Sequence, residues 1–270
     1  MSKENTAVTK KKIKRCKEDV VFDAACFIIL TLVLFVVAYP LYWVIISSIS
    51  APSAVSSGKV LLHPIGFTLK GYAEVFKNDQ VMRGFLNSLI ITFCGVMVNL
   101  IVTLPTSYAL SRSNFSGKKP ITIFYLITMF FGGGLIPTYL VIQRLQMLNT
   151  IWALILPGCL SVYNMIVART FFKSNISEEL YEAAEIDGCT QARFFFQIAL
   201  PLSKAIIAIL VLYYGVGHWN SYFSALVYIS DKAKYPLQLV LRNILITNQT
   251  ALSQTATTAA ARAALQEKQQ

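Results

Sequence analysis

Five of the chain's thirteen acidic residues, Glu178, Glu179, Glu182, Glu185 and Asp187, fall within ten consecutive positions of a 270-residue sequence. A cluster of this kind can work as acid or base, hold a cation, or offer charge to a soluble partner. Acid–base catalysis needs an imidazole or nucleophile nearby. Neither His63 nor His218 has a nucleophile–acid grouping beside it, so no catalytic residue is assigned. The five cysteines, Cys16, Cys26, Cys94, Cys159 and Cys189, are scattered without metal-ligand spacing, and no metal site is expected.

Nor does the chain carry its own energy source. Ion-coupled carriers bury carboxylates in their spans, but no Asp or Glu occurs from Gln80 to Ser177 or from Gly188 to Ser230. Gly58-Lys59 and Gly117-Lys118 lack the earlier glycine of a Gly-x-x-x-x-Gly-Lys-Ser/Thr phosphate loop. Energy therefore has to arrive from a partner, and the acidic segment, polar between long apolar runs, is the place for it to dock.

Local rules make that segment a helix, a turn and a second helix. Ser177 is placed to cap the first helix, with Glu178 and Glu179 in the turn where the dipole favours them. Leu180, Ala183, Ala184 and Asp187 recur on one face, mostly small, which a partner surface can approach closely. Gly188 suits a left-handed stop; Thr190 to Leu200 restarts with Phe194, Phe195, Phe196 and Ile198, and Pro201 fits the entry to the next span. Glu182-Ala183-Ala184, Gly188, nine residues and then Ile198-x-Leu200-Pro201 resembles the EAA signature of ABC importer membrane subunits. The resemblance implies a type I importer transmembrane domain, all-α. In it the loop is a coupling helix seated on an ATP-hydrolysing subunit, with Glu182, Ala183, Ala184, Asp187, Gly188, Ile198, Leu200 and Pro201 as coupling residues.

A second group of residues suits a solute path. Gly215 and Gly217 precede His218, Trp219, Asn220 and Tyr222, which predicts an unwound or kinked segment lining a cavity. A ring that packs on a sugar face beside amides and hydroxyls that bond its rim is how proteins hold carbohydrate. Asn87 and Ser88 offer similar groups, or else tie helices together. Phe85-Leu86-Asn87-Ser88, Tyr108-Ala109-Leu110-Ser111-Arg112 and Trp219-Asn220 look like maltose-type carbohydrate importer subunits, over roughly Asp23 to Leu245. The Phe131 to Tyr139 string resembles a subgroup handling complex or uronic-acid oligosaccharides such as alginate. That likeness implies a second homologous permease, two ATPases holding ATP and Mg, and an external sugar-binding protein. The binding protein would meet Ser230, Asp231, Lys232 and Tyr235. No cofactor is expected on this chain. Two rival readings stay open: an importer for a non-sugar solute such as a peptide, and an ion-coupled carrier.

The elements that must position these residues are membrane spans. The chain is 55% hydrophobic and 14% charged, against about 25% charged for a soluble domain. Its net charge of +11 does not point to nucleic acid, because seven of the first seventeen residues are Lys or Arg, directly before an apolar run. That is a cytoplasmic flank. Residues 1–19 read as this basic N-terminus, 20–229 as a transmembrane domain with its coupling loop at 174–200, and 230–270 as an external loop and C-terminal segment. Five spans are visible, at about Val20 to Ile49, Gly84 to Leu110, Ile121 to Ile142, Thr150 to Phe172 and Pro201 to Ile229, where the family usually has a sixth. Gly132 to Gly134 and Pro137 interrupt the third span and are read as a bend. Tyr39, Tyr42 and Trp43 suggest an aromatic belt near the outer end of the first. With the N-terminus inside, in a bacterial cytoplasmic membrane, the acidic loop faces the cytoplasm. Ala251 to Gln270 reads as an Ala-rich helix.

Overall fold

The computed structural model describes residues 17–250 apart from 248, so the basic stretch before Lys17 and the Ala-rich segment after Thr250 lie outside the described residues. The described residues form helices and loops, with no strand among them. They fall into two units, Met1–Lys77 and Asn78–Gln270.

The first unit holds α1 (Lys17–Ser48), α2 (Pro52–Ser56) and α3 (Lys70–Lys77). No charge interrupts the sequence between Asp23 and Lys59, and the 32 residues of α1 extend about 48 Å, ample for a bilayer. The predicted belt has a second duty. Tyr42 Oη donates to Leu62 O at 2.6 Å and Trp43 Nε1 to Val60 O at 2.8 Å, pinning the returning chain beside the helix. Ile46, Ala54 and Val60 bury a small core beneath that turn. The stretch between the first two spans thus contains two short helices.

The second unit is built on α4 (Asp79–Ser111), followed by α5 (Lys118–Phe130), α6 (Leu135–Arg144), α7 (Trp152–Gly158), α8 (Val162–Asn175), α9 (Glu178–Ile186), α10 (Gln191–Leu202), α11 (Lys204–Trp219), α12 (Tyr222–Tyr228) and α13 (Leu237–Thr247). By length and composition α1 and α4 each suffice to cross a membrane; up to five crossings result if α5–α6, α7–α8 and α10–α11 each count as one bent span. α13 is an apolar helix of 11 described residues, about 16 Å, and residues 249 and 250 are helical as well.

One face of α4 carries small or hydrogen-bonding residues four or seven apart, and the other elements attach there. Gly84 lies under Leu237 and Val240. Ser88 Oγ accepts from Leu237 N at 2.9 Å. Gly95 lies under the His218 ring. Asn99 Nδ2 donates to Gly158 O at 2.7 Å, while its Oδ1 meets His218 Nε2 at 2.7 Å. Thr103 Oγ1 and Tyr214 Oη share a bond of 2.7 Å, and Ser107 Oγ donates to Met165 O at 3.1 Å. Apolar side chains cannot make such contacts inside a bilayer, where small residues bring backbones close and polar ones link helices.

The bent spans differ from the expectation. The fourth breaks by 52° between α7 and α8, where Pro157 and Gly158 interrupt it. Asn99 answers the freed Gly158 carbonyl, and Tyr214 Oη accepts from Ser161 N at 3.2 Å, so the chain repairs this break itself. The third turns by 113° between α5 and α6, far more than a bend. Gly134 there adopts φ +85°, open to glycine at no steric cost. Among the described residues, the amides of Gly132, Gly133, Gly134, Leu135 and Ile136 meet no acceptor. Gly215 and Gly217 do not unwind α11, which runs unbroken to Trp219 and stops at Asn220 and Ser221. Gly215 faces α4 instead, within 4.0 Å of Val96 and Thr92 were it to carry a Cβ.

Gly95→Ala puts a methyl group 2.5–2.7 Å from three atoms of the His218 ring. The ring has to swing away and abandon Asn99. We expect a loss of about 2 kcal/mol, read as a lowered Tm of the detergent-purified protein. Gly217→Ala, in open space on a helix, is expected to stabilise by about 0.5–1 kcal/mol.

Candidate coupling site

The acidic segment folds as its local chemistry dictates. Ser177 Oγ accepts from Leu180 N at 3.3 Å and Thr190 Oγ1 from Arg193 N at 3.3 Å, so each helix of the hairpin begins at a hydroxyl cap. Gly188 closes α9 at φ +76°, with Gly188 N donating to Glu185 O and Cys189 N to Ala184 O. α10 carries a π-turn over Phe195–Ala199, and α11 leaves it at 81° after Pro201. The hairpin thus lies crosswise to the span that follows it.

Its faces are divided differently from the expectation. Tyr181 is buried and Ala184 half-buried against the chain's own core, while Leu180, Ala183 and Asp187 of the expected face are exposed. Glu179, Glu182, Ala183 and Ile186, at helical spacing, form the outward face, with Asp187 and Gly188 exposed beyond it. Ile186 is 87% exposed, a bare apolar knob on a charged helix. Of the second helix, Ile198 and Leu200 are half-buried and Pro201 exposed.

Beneath the hairpin lies a ring cluster that sequence reasoning missed. Tyr181 meets Phe194 edge-on at 5.3 Å, and Tyr108, on the last turns of α4, touches Phe172, Phe194 and Phe195. The Arg112 guanidinium lies between Tyr108 and Tyr181, 5.2 and 5.5 Å from their ring centres. Its Nη2 donates to Ile176 O at 3.2 Å. Glu178 closes the joint: Oε2 is 3.7 Å from Arg112 Nη1 and Oε1 accepts from Ser113 N at 3.2 Å. Two spans and the hairpin are therefore clamped at one point, the Ser111 end of α4. A Tyr four residues after an N-cap, with an Arg just past a long apolar run, was the available signal.

The opposite end of α4 holds the other expected residues. Asn87 Nδ2 donates to Ala233 O at 2.8 Å and to Tyr235 O at 3.1 Å, and with Ser88 it ties the 232–237 segment down. Asn149 Oδ1 accepts from Ser230 N and Asp231 N, and Lys234 Nζ donates to Asn149 O. Lys232 is exposed and Tyr235 half-buried on this segment. His218 is buried and occupied by Asn99; Trp219 meets Phe85 edge-on at 6.0 Å; Asn220 Nδ2 donates to Val216 O; and Tyr222 lies under Arg242. The polar groups of Asn87, Ser88 and His218 are thus committed inside the chain, which is the helix-tying alternative for the first two. Asn87 and Arg112 are separated along one helix by about 37 Å, more than the hydrocarbon thickness of about 30 Å.

No protein-family model matches the chain. The polygalacturonan/rhamnogalacturonan transport system permease protein YtcP of Bacillus subtilis (strain 168) is 38% identical over 225 residues, covering 83% of this chain and 78% of that protein. Protein LplC of the same organism is 39% identical over 226 residues, covering 84% and 76%. Among solved structures, a bacterial ABC transporter involved in the import of the acidic polysaccharide alginate superposes with a TM-score of 0.80 at 28% identity, covering 85% of this chain and 81% of that one.

Tyr181→Ala empties the socket that holds α9. The expected cost is about 3 kcal/mol, seen as a lower Tm together with faster proteolysis between Glu178 and Thr190. Tyr181→Phe keeps the ring and is expected to lose little.

Proposed function

This chain belongs to the membrane-spanning permease subunits of ABC transporters that import sugars, and from that premise we propose that it forms half of a path for acidic oligosaccharides across a bacterial cytoplasmic membrane. A second homologous permease supplies the other half. Two ATPase subunits, which hold ATP and Mg, grip the outward face of α9, and an external sugar-binding protein delivers solute to the Ser230–Tyr235 end. The subunit makes and breaks no bond. Its N-terminus lies on the cytoplasmic side.

The observation that carries this reading is the separation of two differently built ends on one helix. The charged hairpin is clamped to α4 at Arg112, and the Ser230–Tyr235 segment is tied to it at Asn87. Water-exposed charge at either end of a helix longer than the membrane is thick supports one docking face on each side. Because the hairpin is joined to α4 and α8 by rings and an arginine, a push on α9 moves those spans as a body. The preference for an acidic sugar is supported by the substrates in the names of the polygalacturonan/rhamnogalacturonan relative and the alginate importer.

The coupling claim is tested in the reconstituted four-subunit complex with its binding protein. Gly188 at φ +76° has open space around it, so Gly188→Val strains the backbone, by about 1–2 kcal/mol, rather than colliding. Together with Glu182→Lys it is expected to lower substrate-stimulated ATP hydrolysis and uptake by about tenfold, the equivalent of about 1.4 kcal/mol in coupling. Unchanged hydrolysis and uptake in both variants would remove the hairpin from the mechanism. Transport by the purified chain alone in liposomes would remove the ATPase dependence altogether.

A further inference from the structure

A polar cleft opens at the end of α4 remote from the hairpin. One part, about 320 Å³, lies between Gln80 on α4, Lys232 and Tyr235 ahead of α13, and Asn243 on α13. A second part, about 280 Å³, shares Gln80 and Lys232 and adds Asp79 and Arg83. Both are near the lower end of ligand pockets, about 300–1,000 Å³. The polar groups are unspent. Among the described residues, the side chains of Gln80, Arg83, Lys232 and Asn243 make no hydrogen bond or ion pair. Asn87, Ser88 and Asn149, which hold the neighbouring segment, are all engaged. Asn243 is exposed on an apolar helix, about 9 Å along it from Leu237. An unanswered amide is costly against hydrocarbon, and polar groups at such depth face a wet path or a partner.

We infer that this cleft is a binding site for one uronic-acid unit of the incoming sugar chain, with Lys232 and Arg83 on its carboxylate and Gln80 and Asn243 on its hydroxyls. The inference rests on the proposed import of acidic oligosaccharides and goes beyond it by assigning the residues that read the acid. Two cations line the cleft against one acid, Asp79. Ammonium and guanidinium groups give a carboxylate charge-assisted bonds. Carboxamides both donate and accept, as sugar hydroxyls do. A phosphate would use the cations and leave the amide oxygens idle. Val240 and Ile244 are the apolar residues lining the cleft beside these groups, too little wall for acyl chains. Tyr235 adds a ring for the apolar face of a sugar. Lys232 and Tyr235 belong both to the cleft and to the segment proposed to meet the binding protein, so a chain handed over there reaches the cleft first.

The assembled transporter in phosphatidylcholine nanodiscs, without binding protein or ATP, is titrated with trigalacturonate and with its neutral methyl ester, and binding is read by saturation-transfer NMR. Trigalacturonate is expected to bind more tightly than the ester. Lys232→Gln and Arg83→Gln each weaken trigalacturonate about threefold and leave the ester unchanged. Asn243→Ala weakens both about fivefold. A general loss of structure would not spare the ester in the first two variants. No binding, equal binding of acid and ester, or binding indifferent to the three variants would overturn the cleft. Loss of both signals when phosphatidylglycerol replaces phosphatidylcholine would assign the cleft to an anionic lipid head and overturn it too. Uptake by the wild-type complex with its binding protein is measured in parallel. If trigalacturonate is taken up while the cleft fails these tests, the import reading stands without it. If the ester alone is taken up, the acidic-sugar reading falls, and the cleft's assignment to the incoming chain falls with it.

Discussion

Everything in the larger unit depends on close approach to one face of α4. Inside a bilayer, apolar side chains gain nothing by leaving lipid for one another, so helices are held by packing at small residues and by hydrogen bonds across the gap. Gly84, Ser88, Gly95, Asn99, Thr103 and Ser107 provide both, one rung after another. Between them the rungs take the segment leading into α13, the end and the middle of α11, the break between α7 and α8, and the start of α8. The helix is a spine rather than a neighbour, and the clamp at Arg112 continues it beyond the last turn to the hairpin.

The hairpin was readable from sequence because caps and left-handed glycines act within three or four residues. Ser177, Gly188 and Thr190 need no distant partner to declare a start or a stop. The spine was not read, although its spacing of Gly, Ser, Asn and Thr by four or seven was visible. A polar residue inside an apolar run announces that it has a partner but not which one, and Asn99 finds His218 119 positions away. For the same reason Asn87, Ser88 and His218 looked like groups waiting for solute. They are engaged with the chain itself.

Helix breaks followed a similar division. Gly215 and Gly217 suggested unwinding, but Gly215 serves packing against α4, and the helix ends at Asn220, whose side chain bonds Val216 O. Pro157-Gly158 carried the plainer signal for a break and was passed over. On α9, spacing identified the small residues, but only the burial of Tyr181 decides which way they turn. That puts Ile186 outside with Glu182 and Ala183, and Ala184 against the core.

The turn between α5 and α6 separates two kinds of surface. α5 has 13 residues, so its far end lies at most about 20 Å from Lys118, within the oily layer rather than beyond it. Five naked N–H groups there, with no side chain on three of them, are intolerable against hydrocarbon tails. The flank bearing Gly132–Gly134 must be sheltered by polypeptide or wetted by solvent. The protein accordingly has a greasy outer side and an inner side, and the glycine triplet marks the inner one.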